Sequence, residues 1–209
     1  MTEAEVEGRA GYAAIVLAAG AGRRFGGGKL LAPWRGAALV AGAVRAALAT
    51  GVGPVIVVTG TDAEAVGKAC ETAAGPGARA RLRRVHAEDH AEGMGASLRT
   101  GVAALPPDIR GVFVFLGDMP DIPTEVFAPL VAAVEAGAPA AAPNFGGRRG
   151  HPVLFSAALL PVLARASGDA GAREVLARLG DRVARVACAH PGVLFDVDRP
   201  EDLGDAPRG

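Results

Sequence analysis

The sequence predicts an α/β protein with a mostly parallel central sheet covered by helices on both faces. Two observations carry this. Short apolar runs alternate at regular intervals with segments of helical periodicity, the order of βαβ units. The runs are also apolar throughout instead of alternating, as strands buried on both faces are. With 209 residues, 50% of them hydrophobic, one full core is within reach.

The first run, 13–19, ends in a glycine-rich loop. Residues 37–50 place Leu39, Val40, Val44, Ala47 and Leu48 on one helical face, with Gly51 as the stop. Residues 54–59 form the next apolar strand. Thr61 and Glu64 have capping-box spacing, which predicts a helix ending near Gly75. Residues 81–86 read as a strand despite their charges. The glycine-rich stretch 92–98 leads into a helix that Pro106 and Pro107 terminate. Residues 112–116 (Val-Phe-Val-Phe-Leu) read as the central strand, with Asp118 at its tip. Thr124 is expected to cap a helix that stops at Gly137. Residues 138–143 and 151–155 are strand-like and flank a loop bearing Arg148 and Arg149. Ser156 is expected to cap a helix to Ala166, and 167–173 turn into another that ends at Gly180. Short strands are expected at 183–187 and 193–196, and Pro200 opens a last helical turn. The divisions are a flexible extension over 1–11, a single domain over 12–204 and a tail over 205–209.

Bulk properties narrow the function classes. The chain has 22 basic and 22 acidic residues, so no global charge invites nucleic acid or an anionic membrane. No run of about 18 apolar residues is present, and the acidic N-terminus is unlike a signal peptide. Cys70 and Cys188 lie far apart without metal-ligand spacing, which suits a reducing cytoplasm.

The stretch 15–31 (IVLAAGAGRRFGGGKLL) concentrates the chemistry. Gly20, Gly22, Gly26, Gly27 and Gly28 let backbone N–H groups approach an anion, and Arg23, Arg24 and Lys29 neutralise it. A P-loop fails here, because Arg23 and Leu30 stand where that motif has Gly and Ser or Thr. A dinucleotide fingerprint fails at Phe25, where its third glycine belongs. Asp118 sits just past a buried strand, where a carboxylate is costly unless solvated, hydrogen-bonded or metal-bound. Beside a polyphosphate-binding loop, Mg²⁺ ligation is the preferred reading and a turn cap the plainer one. Asp198 is its expected partner, with an N-cap role at Pro200 as the alternative. Asp196 would point away if a strand ran through it. Gly93, Gly95 and Ser97 open a helix and could serve an anion or simply start that helix.

The residues Leu17-Ala18-Ala19-Gly20, Arg24-Phe25-Gly26 and Lys29 resemble the opening signature of nucleotidyltransferases. With Glu92-Gly93-Met94-Gly95-Ala96-Ser97-Leu98, Gly117-Asp118-Met119-Pro120, Gly150-His151-Pro152, Gly168-Asp169-Ala170-Gly171-Ala172-Arg173 and Asp196-Val197-Asp198, the chain resembles the MobA-like NTP transferases. It is most similar to their MocA-type molybdenum cofactor cytidylyltransferase branch. The resemblance implies a three-layer α/β/α nucleotidyltransferase (Rossmann-like) fold. It implies transfer of CMP from CTP to a molybdopterin-type cofactor, with Mg²⁺ held by Asp118 and Asp198. Leu17, Ala18, Ala19, Gly20, Gly22, Arg24 and Lys29 would bind the nucleotide, and Arg24, Lys29 and Asp118 would be catalytic. Gly93, Ser97, Gly150, His151 and Asp169 would line the acceptor side. A molybdenum hydroxylase apoenzyme would receive the product. Ala19, where guanylyl relatives carry glycine, favours a pyrimidine; Met119 stands where several cytidylyl members have glutamine. GTP or another acceptor, and a non-catalytic cofactor-binding maturation factor, are the alternatives.

Overall fold

Strand β1 (Tyr12–Ala18) takes the centre of the sheet because its seven residues are apolar and nearly all buried. A computed structural model describes residues 11–204, so the extension, apart from Gly11, and the tail at 205–209 lie outside the described residues. After β1 come a hairpin of β2 (Pro33–Trp34) and β3 (Ala37–Ala38), helix α1 (Val40–Ala49), β4 (Val55–Thr59), α2 (Ala63–Ala78) and β5 (Leu82–His86). Then follow α3 (Met94–Ala103), β6 (Gly111–Leu116), α4 (Phe127–Glu135), β7 (Ala140–Phe145), β8 (Arg148–Arg149), β9 (Val153–Ser156), α5 (Leu160–Leu163), α6 (Ala172–Leu179) and β10 (Val183–Ala187).

The main sheet runs β10-β7-β9-β6-β1-β4-β5, with β8 on β7. β1 is parallel to β4 and β6, β4 to β5, and β7 to β10. Only β9 and the short β8 run against their neighbours. Alternation along β1 builds the layers. Tyr12, Ala14, Val16 and Ala18 join Val44, Val66 and Leu130 from α1, α2 and α4. Ala13 and Ile15 join Leu98, Leu163 and Leu176 from α3, α5 and α6 on the other face. The chain leaves β1 through β4 to β5 and returns to β6 on β1's opposite side. That reversal opens a crevice where β1 and β6 end, the usual ligand position in such sheets.

Several local expectations are corrected. The helix expected from residue 37 starts at Val40, because Ala37 and Ala38 pair with Trp34 and Pro33. The Thr61/Glu64 capping box does not form: Asp62 is the N-cap at φ 55°, without a side-chain cap, and Glu64 instead pairs with Arg84 at 3.1 Å. Gly75 does break the backbone, at φ 63°, before a further short turn. Neither Thr124 nor Ser156 caps a helix through its side chain; each precedes or begins a 3-10 turn. Residues 193–196 form no strand, since a 3-10 turn, Pro191–Leu194, takes their place.

Candidate active site

The glycine loop works by backbone geometry. Gly22 adopts φ 60°, and a Cβ there would lie 2.8 Å from Lys29 Cβ, so the loop folds back onto Lys29 only with glycine at that position. Gly28, also left-handed at φ 63°, starts the turn that presents Lys29. Its ammonium donates to Asp118 Oδ2 at 2.7 Å and to Asp198 Oδ1 at 3.4 Å. Arg24 donates to Asp198 Oδ2 at 3.0 Å, with its own side chain 77% exposed. Two cations from the first loop thus meet carboxylates lying 89 and 169 positions from Lys29 in the chain.

The two carboxylates are set by backbone. Val197 N donates to the Asp118 carbonyl at 3.1 Å, tying the last segment to the tip of β6. Asp202 accepts from the amides of Asp198 at 2.8 Å and Arg199 at 2.7 Å, so it takes the cap role and leaves the Asp198 carboxylate to Lys29 and Arg24. Val197 is fully buried with Trp34 and Leu39, and Phe25, Phe195 and Leu203 pack against them. This small core joins the glycine loop to the segment that carries Asp198. Gly42 and Gly192 admit the same tip closely, since a Cβ on either would collide with the carbonyl of Pro120 or Asp121.

Asp196, which the sequence turned away, shares the field of this cluster. Burial first, then the charges of Asp118 and Asp198, raise its carboxyl above the ordinary range. The donor set is hard oxygen, as Mg²⁺ requires. Among the described residues no three or more His, Cys, Asp or Glu side chains form a metal cage. Asp118 and Asp198 would supply two hard oxygen donors to a cation, and here both accept from Lys29.

A cleft of about 620 Å³ opens beside this array. Leu17, Ala19, Gly20, Gly22 and Lys29 form its glycine-loop side. Gly93, Ser97 and Asp169 share another wall, because a Cβ at Gly93 would lie 2.5 Å from Asp169 Oδ1. Arg99 braces that wall, donating to Asp89, to Glu92 and to the Ala166 carbonyl. Ala18 is buried beneath the loop. Gly150 and His151 do not line the cleft: Gly150 is packed on Val193, and His151 N donates to the Val193 carbonyl at 2.8 Å. The His151 ring has a buried Nδ1 without a partner, and burial pushes its pKa down to about 4 against the opposing charge of Asp118. Met119 is 3% exposed in the core, so its side chain is not available to a nucleotide. Thr61 and His90 also line the cleft. A spacing argument misses them because they come from turns after β4 and β5, and only the sheet order brings those turns to the site.

A parallel-sheet crevice with a cationic glycine loop facing paired carboxylates defines the nucleotidyltransferase class. The chain belongs to the family of the MobA-like NTP transferase domain, matched over residues 14–183. It is 36% identical over 200 residues to nicotine blue oxidoreductase of Paenarthrobacter nicotinovorans, covering 90% of this chain and 93% of that one. It is 25% identical over 189 residues to the molybdenum cofactor cytidylyltransferase of Escherichia coli K12, covering 90% and 92%. Its fold is similar to the Mycobacterium sp. JC1 homologue of Rv0371c, at TM-score 0.80 and 28% identity, with 93% of each chain covered. Mycobacterium tuberculosis Rv0371c in complex with manganese aligns at TM-score 0.72 and 26% identity, covering 93% of this chain and 96% of that one. Among the described residues no helix is long and apolar enough to cross a membrane.

Proposed function

We propose that the protein transfers CMP from CTP to a molybdopterin-type cofactor, releasing pyrophosphate. The observation that carries this reading is the array Arg24–Asp198–Lys29–Asp118 where β1 and β6 end. Lys29 and Arg24 are the groups that move onto phosphate oxygens, and the small residues Ala19, Gly20 and Gly22 let the backbone approach the nucleotide. An acceptor phosphate oxygen attacks the α-phosphorus in line. Its bond forms as the bond to the β-phosphate oxygen breaks, and the electron pair leaves with pyrophosphate. No covalent nucleophile on the protein is needed; positioning and charge stabilisation supply the catalysis. Asp118 and Asp198 would hold Mg²⁺, which supplies neutralisation of the phosphate charge. Support for a divalent ion comes from the hard donor pair and from the manganese complex of the mycobacterial relative. Support for the acceptor comes from the cytidylyltransferase relative. On this reading Gly93, Ser97 and Asp169 face the acceptor, and a molybdenum hydroxylase apoenzyme receives the product.

The test is incubation with molybdenum cofactor, Mg²⁺ and each labelled NTP, followed by pyrophosphate measurement and product identification. Pyrophosphate and a cytosine dinucleotide with CTP support the proposal. Turnover with GTP alone would replace the nucleotide, and cofactor binding without turnover of any NTP would favour a maturation factor. A second reading, nicotinamide-dependent reduction in the same cleft, is favoured by the relative named as an oxidoreductase. NADPH oxidation with nicotine blue and no pyrophosphate release would establish it instead.

A further inference from the structure

The sheet order lays out the cleft. Along its C-terminal edge the strands run β6, β1, β4, β5. Asp118 follows β6, while the His90 ring rests over Gly60, just past β4, and beside the Ala19 carbonyl, just past β1, so they stand about two strand positions apart. At about 4.8 Å per step this is about 10 Å, the scale from the base of a nucleotide to its phosphates. With the phosphates at Lys29 and Asp118, the base falls at the His90 end.

His90 is held firmly there. A Cβ at Gly60 would lie 2.6 Å from His90 Cγ and 2.7 Å from the Ala19 carbonyl oxygen, so the ring rests on a glycine beside the nucleotide loop. The His86 ring meets it edge-on, with centroids 5.9 Å apart and planes at 60°. His90 Nδ1 lies 2.9 Å from the Ala87 carbonyl. A carbonyl oxygen only accepts, so Nδ1 carries a proton, and the tautomer with its lone pair on Nε2 offers an acceptor there. Among the described residues Nε2 has no protein partner.

An acceptor at the base end discriminates by chemistry. Cytosine presents an exocyclic amino donor where uracil presents a carbonyl oxygen. We infer that His90 is a specificity-determining residue whose Nε2 accepts a hydrogen bond from the exocyclic amino group of the base, so that the cleft takes cytosine over uracil. The inference rests on the nucleotidyl-transfer reading above and names the residue that reads its substrate.

The test is isothermal titration of the full chain, with Mg²⁺, against CTP, UTP and inorganic tripolyphosphate. The wild type should bind CTP about tenfold more tightly than UTP, the scale of one hydrogen bond plus an opposed acceptor. His90→Phe keeps a ring and removes the lone pair; His90→Gln offers a donor and an acceptor together. Each should bring the ratio within about threefold, mainly by weakening CTP. Unchanged tripolyphosphate affinity certifies that the variants fold. A wild type indifferent to the two bases, or a variant that keeps the preference, overturns the role of His90 and leaves the transfer reading standing. A wild type that binds none of the three ligands overturns both.

Discussion

Lys29 Nζ lies 2.7 Å from Asp118 Oδ2, and the ammonium reaches Asp198 as well. The Lys29 side chain is only 12% exposed, so this contact is shielded from solvent on the lysine side. Removing the cation leaves Asp118, Asp198 and Asp196 facing one another. Lys29→Met should therefore lower stability by about 1–3 kcal/mol without ligands, and millimolar Mg²⁺ should restore part of it. Thermal melts with and without the ion check this; a variant as stable as wild type in both would refute the pairing.

Arg24 is the opposite case. It pairs with Asp198, yet its side chain is 77% exposed. Arg24→Gln should change stability by no more than about 0.5 kcal/mol, while kcat for nucleotidyl transfer falls about 100-fold. Urea titration and steady-state rates, measured on the same preparation, separate the two effects.

Gly192→Ala tests the seat of the tip segment that follows β6. The new methyl would collide with the Asp121 carbonyl. The expected cost is about 1–3 kcal/mol, as for other overpacked sites, with a larger loss in kcat than in stability because Val197 and Asp118 share that tip. A variant with normal kcat would mean that the tip tolerates displacement.

Trp34 is the chain's single tryptophan and is packed with Val197 and Phe25 between the loop and the Asp198 segment. Its emission should change when Mg²⁺ and CTP are added together. The change should be lost in Asp198→Asn, which fluorescence titration would reveal.

His151 sets an acid limit. Its folded pKa, about 4, lies below the ordinary 6.5, so between these values the unfolded chain takes up a proton that the native state refuses. Stability from this group is complete above pH 6.5 and is lost as the pH falls toward 4. At about 1.4 kcal/mol per pH unit the loss is capped at about 3.5 kcal/mol. Urea melts at neutral and acid pH should show a smaller acid loss in His151→Gln.

The strands of the sheet's centre were legible because both of their faces are buried, which leaves an uninterrupted apolar signature. β5 read weakly because it is an edge strand whose Arg83, Arg84 and His86 stand in solvent. Lys29, Asp118 and Asp198 could be nominated from local motifs. Their meeting depends on a backbone bond from Val197 to Asp118 and on packing around Trp34, neither of which has a local signal. The strand expected at 193–196 failed because Pro191 and Gly192 wind the chain into a turn. Without that strand the alternation that would have turned Asp196 away from the cluster is also gone. Gly150 looked like a site residue, whereas its burial against Val193 explains it by packing alone.

The closed array of Arg24, Lys29 and the two aspartates makes the resting site an ion exchanger. Its cations rest on carboxylates; on the proposed reading Asp118 and Asp198 would hold a dication and Lys29 and Arg24 would bind phosphate oxygens, so the number of close ion pairs need not change. A metal–nucleotide complex entering such a site swaps counterions instead of filling a bare positive pocket. Its affinity should then depend weakly on salt, and free nucleotide without a metal should find its cations already engaged.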